Sequence, residues 1–146
     1  MHLADELRLR PERFPNLTEG TFAITSEATP DYNCVAWAAG VTDRWIDHFE
    51  DCWPSGIRCG DSPADYAELY KQRGFELCDS GEFEQGYVKV AIYGDDRGLF
   101  THVALQKTDG RWTSKMGGLE DIEHAELTSL CGRAYGEPVL YLRKAR

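Results

Sequence analysis

Thr101-His-Val-Ala-Leu-Gln-Lys107, then Thr108-Asp109-Gly110, then Arg111-Trp-Thr-Ser-Lys-Met116 is the stretch on which the fold turns. Two runs of strand character flank Thr-Asp-Gly, a strong hairpin signal because glycine adopts the positive φ that such a loop needs. Side chains alternate across a strand, so His102, Ala104 and Gln106 share one face and Val103 and Leu105 the other. With a three-residue loop, Lys107 pairs with Arg111 and Ala104 with Ser114, which puts Ser114 on the His102 face. A two-residue loop would reverse that, since a one-residue slip flips every side chain.

Upstream, Gly86–Tyr93 has the same period of two. Val88, Val90 and Ile92 point one way, and Tyr87, Ala91 and Tyr93 the other. Phe75–Cys78 and Val139–Leu142 read as shorter strands. Helices precede this block. Cys34-Val-Ala-Trp-Ala-Ala-Gly40 is small and apolar nearly all round, the pattern of a buried helix, with Asn33 as its N-cap. Asp43–Asp51 reads as a second helix with Trp45, Ile46 and Phe49 on one face. Asp61-Ser-Pro63 opens a third, with proline in its first turn, and Gly74 stops it. Residues 1–30, punctuated by Pro11, Pro15, Gly20 and Pro30, read as an irregular lead-in with room for one short helix. Helices followed by an antiparallel sheet predict an α+β fold over residues 1–146, a single domain.

Composition narrows the function classes. The chain has 146 residues, 42% hydrophobic and 28% charged, enough to fold around a core. The formal net charge of −9 repels a phosphate backbone, which argues against nucleic-acid binding. No run approaches the roughly 20 apolar residues of a membrane span. The opening Met1-His-Leu-Ala-Asp-Glu-Leu-Arg8 has no apolar core of a secretory signal, so the expected location is the cytoplasm. Five cysteines, Cys34, Cys52, Cys59, Cys78 and Cys131, contain no CxxC pair. They read as reduced thiols, with neither metal nor cofactor implied.

Cys34 and His102 carry the candidate chemistry. Unpaired N–H groups at a helix start favour a thiolate and can hold an oxyanion. A strand-borne imidazole is the base that such a thiol needs. Ser114 is the conditional third member, with Asp121 and His124 as other orienters of the ring. Asn33 and Tyr32 are candidate oxyanion donors, although a cap suits Asn33 better. Trp53, beside Pro54, is the tryptophan placed to line a cleft; Trp37, Trp45 and Trp112 read as core.

Tyr32-Asn33-Cys34-Val-Ala-Trp-Ala38, Thr101-His102-Val-Ala-Leu105 and Gly110-Arg-Trp-Thr-Ser114 together resemble the papain-like fold, in its bacterial NlpC/P60 and CHAP variants. Asn33-Cys34-x-Ala-Trp-Ala with Trp112-Thr-Ser-Lys-Met-Gly117 is also similar to a family of uncharacterised small bacterial proteins. The resemblance implies helices packed on an antiparallel sheet. It also implies a cysteine hydrolase or acyl transferase, acting on an amide or peptide bond through a thioester on Cys34. His102 would be its base, Ser114 its third polar group, and a peptide or protein its substrate. The sequence departs from NlpC/P60 on both sides of the cysteine, where Asn33 precedes and Val35-Ala36 follow. The alternative expectation is a non-catalytic acidic binding or immunity-type module on the same fold.

Overall fold

A computed structural model describes residues 22–25, 31–41, 60–115, 121–132 and 135–146. Asn33 opens the first helix among the described residues, α1 (Cys34–Ala38). Its side chain accepts a hydrogen bond from the Ala36 N–H at 3.0 Å. The helix lasts only five residues and gives way at Gly40. Its small buried side chains, Ala36 and Ala38, let the backbone lie close to the sheet beneath. The helix expected to open at Asp61-Ser-Pro63 is α2 (Pro63–Gln72). The Ser62 hydroxyl accepts from the Asp65 N–H, and the Asp65 carboxylate accepts from the Ser62 N–H, a complete capping box with Pro63 just inside. Gly74, at φ 97°, ends the turn that follows. The Tyr70 hydroxyl donates to the Val35 carbonyl at 3.0 Å and ties the two helices together.

Among the described residues, seven strands form one sheet: β1 (Phe22–Ile24), β2 (Glu76–Cys78), β3 (Tyr87–Gly94), β4 (Phe100–Gln106), β5 (Trp112–Lys115), β6 (Asp121–His124) and β7 (Glu137–Ala145). Their order is β1-β6-β5-β4-β3-β7-β2, and every pairing is antiparallel. The hairpin has the three-residue loop. Leu105 pairs with Thr113 and Gln106 with Trp112, and the Lys107 N–H donates to the Arg111 carbonyl at 2.7 Å.

The alternation in β3 and β4 divides the interior into two cores. Val90, Ile92 and Val103 pack with Leu142, Cys34, Val35, Tyr66 and Tyr70 on the face covered by both helices. Ala91, Tyr93 and Ala104 pack with Trp112, Ile122 and Leu130 on the other face, next to a 3-10 turn at Leu127–Leu130.

The fold is thus α+β and dominated by its sheet. The lead-in expected to be irregular contributes an edge strand at Phe22–Ile24, antiparallel to β6. The helix expected at Asp43–Asp51 lies outside the described residues. Among the described residues, no helix is long and apolar enough to cross a membrane.

Candidate functional site

Cys34 sits at the first position of α1, largely buried against β4. Backbone hydrogen bonds at Val103, Val35 and Cys34 itself, and the Lys115 ammonium, favour the thiolate. Burial outweighs them and pushes the thiol up to about 11. Lys115 is fully buried, with Nζ 5.1 Å from the centroid of the Tyr32 ring. The sequence held a signal for it, because strand parity puts Thr113 and Lys115 on the Val103 side.

His102 faces the other way. It pairs with Tyr93 across the β3–β4 ladder and packs edge-on against that ring, with centroids 5.4 Å apart. It stacks on Tyr135 at 4.3 Å with the planes 4° apart. Cys34 packs with Val103, and consecutive residues of a strand project to opposite faces. The sheet therefore lies between the thiol and the imidazole. The two groups that a thioester mechanism needs in contact are not brought together. His102 is fully buried, and neither ring nitrogen has a hydrogen-bond partner among the described residues. Burial, and secondarily the charge of His124, hold its pKa well below the ordinary histidine value.

Ser114 lies on the His102 side, as the three-residue loop requires, but its bond is to another histidine. Ser114 Oγ and His124 Nε2 are 2.8 Å apart, and His124 Nδ1 is 2.9 Å from the Glu126 carbonyl. A carbonyl only accepts, so Nδ1 carries the proton and the serine hydroxyl donates to Nε2. Burial lowers the His124 pKa to about 4, so the pair is neutral at ordinary pH. His124 is thus the partner of Ser114. The Asp121 side chain and Trp53 lie outside the described residues. The Asn33 side-chain oxygen serves as the helix cap, and Tyr32 stacks on Trp37 with centroids 5.8 Å apart.

Among the described residues, two clefts are lined by neither Cys34 nor His102. One, of about 680 Å³, is bordered by Asp95, Asp96 and Glu137 beside Cys131. The other, of about 600 Å³, has Trp112 and Tyr141 among its walls, with Glu82, Glu126 and Glu137. No Lys or Arg is among the described residues lining either. Among the described residues, no group of three or more His, Cys, Asp and Glu is placed to hold a metal ion.

Residues 23–143 match the family model of a domain of unknown function, DUF7689. The chain belongs to the DUF7689 family. Neither a curated protein nor a solved structure matches it. The DUF7689 match spans both cores and both clefts, from β1 to β7.

Proposed function

We propose that this DUF7689 chain is a non-catalytic binding module on a papain-like framework, and that its partner is cationic. The observation that carries this reading is the sheet between Cys34 and His102. A helix that begins with cysteine, packed on an antiparallel sheet whose strand holds histidine, supports the papain-like likeness. The orientation of that strand disfavours hydrolysis. The imidazole cannot take the thiol proton through a layer of backbone, and the buried thiol keeps that proton at neutral pH. The net charge of −9 and two clefts bordered by carboxylates favour a positively charged partner.

Alkylation by iodoacetamide, followed at the Cys34 peptide by mass spectrometry, tests this. A thiol of about 11 is roughly 3 parts in 10,000 thiolate near pH 7.5, against about one in ten for a free cysteine. Protonation alone then slows Cys34 by roughly 300-fold relative to an exposed thiol. The module reading predicts this slow rate in the wild type and the same rate in His102→Ala. Fast alkylation at neutral pH, lost in His102→Ala, restores the hydrolase reading.

A further inference from the structure

The 600 Å³ cleft lies on the sheet face away from the helices, between the 81–83 loop and the 3-10 turn. Its wall contains Gln106, only 3% exposed. The amide N–H groups of Gln106 donate to the carbonyls of Gly81 at 3.1 Å and Gly110 at 3.4 Å, which fixes the amide orientation. Its oxygen, Oε1, is left buried with no partner among the described residues. An unmade hydrogen bond of this kind costs free energy, so the oxygen calls for a donor.

The other walls define what that donor belongs to. Gly81 runs directly over the aromatic floor. A Cβ there would meet Leu127 at 3.0 Å, Trp112 at 3.1 Å and Tyr141 at 3.3 Å, so a larger residue would push against these walls and change the shape of the cleft. Phe83, 48% exposed, lies over the Gly110 turn as a further wall. Glu82, Glu126 and Glu137 also line the cleft, the Glu126 carboxylate accepting from the Thr128 hydroxyl at 3.3 Å. Among the described residues, Lys89 pairs with Glu84 at 3.0 Å, and Arg143 pairs with Glu84 at 2.5 Å and with Glu76 at 3.0 Å.

We propose that this cleft binds a guanidinium group, the arginine side chain of a basic polypeptide. The proposal rests on the binding-module reading and names its site. A guanidinium is planar, donor-only and permanently charged. It stacks on aromatic faces, satisfies an orphan carbonyl oxygen and forks onto carboxylates, a combination that an ammonium lacks. The cleft is several times larger than one side chain, so a segment of chain fits better than a free amino acid.

The test titrates a fluorescently labelled peptide of alternating Arg and Ala into the full chain and reads anisotropy. Lys-Ala and Glu-Ala peptides and Nα-acetylarginine amide serve as comparisons. The Arg peptide binds, the Lys peptide binds at least tenfold more weakly, and the Glu peptide does not bind. The free amide competes only at far higher concentration. Glu82→Gln/Glu137→Gln weakens the Arg peptide at least tenfold. Asp61→Asn/Glu68→Gln, an equal change in charge at α2, leaves it within twofold. Gly81→Ala weakens it with no change in charge. Equal losses in the two double variants overturn the cleft and leave only a diffuse acidic attraction. Equal binding of the Lys peptide overturns guanidinium recognition, and full competition by the free amide overturns the polypeptide source. Absence of binding by the Arg peptide overturns the proposal outright. If Cys34 is still alkylated slowly in that case, the non-catalytic reading stands without this site.

Discussion

Acid should weaken this protein through a buried histidine. His124 is buried between Ser114 and the Glu126 carbonyl, with its pKa lowered from 6.5 to about 4. The folded state therefore resists a proton that the unfolded chain accepts. Between those two values the unfolded state binds more protons, so stability rises with pH. The contribution is complete above about pH 6.5, erodes as pH falls below it, and is gone by about pH 4. At about pH 5 the loss from His124 alone is about 2 kcal/mol. His102, also depressed by burial, adds a loss of the same sign. The assay is urea unfolding near pH 7.5 and near pH 5, in wild type and His124→Gln. The wild type should lose about 2 kcal/mol more than the variant, a difference of roughly 1 M in the urea midpoint. Equal losses in the two proteins would refute the buried neutral histidine. So would a His124 ring resonance that titrates near 6.5.

Two further outcomes follow from the helices. Tyr70→Phe removes the hydroxyl that donates to the Val35 carbonyl and should cost about 1 kcal/mol in chemical unfolding, more if the carbonyl is left dry. Ser62→Ala breaks the capping box of α2 and should also cost about 1 kcal/mol, with a smaller loss in Ser62→Asn, whose side chain can still cap.

Much of this architecture is legible in the sequence, because local chemistry dictates it. Thr108-Asp109-Gly110 sets the hairpin register, and from that register the shared face of His102, Ala104, Gln106 and Ser114 follows. Asn33 caps α1 as expected, and Asp61-Ser-Pro63 opens α2, with Ser62 the residue that caps it. Alternation in Gly86–Tyr93 sorts Val90 and Ile92 from Ala91 and Tyr93 correctly into two cores. Other features escape for identifiable reasons. Phe22–Ile24 is three residues among prolines and glycines, and Asp121–His124 offers only Ile122 as an apolar strand residue. Both are strands because neighbours supply their hydrogen bonds. β7 extends through Arg143 and Lys144 to Ala145, where charges conceal it, since Arg143 is held by Glu76 and Glu84.

The site is less legible than the fold. Parity shows that His102 and Val103 oppose each other, but not which of the two faces the helices cover. That choice depends on how the bulk of Val103, Val90 and Ile92 meets the small residues of α1, a packing event between distant segments. A cysteine at a helix start and a histidine on a strand therefore look like partners in the text while packing on opposite sides of a sheet. The partner that Ser114 has, His124, depends on β6, an element with almost no sequence signal.

The most direct measurement of that separation is a proton nuclear Overhauser spectrum with selective assignment of His102, Tyr93, Tyr135 and Cys34. The ring protons of His102 should show cross-peaks to both tyrosine rings and none to the Cys34 β-protons. A His102–Cys34 cross-peak, with the tyrosine contacts missing, would place thiol and imidazole on one face and contradict the account.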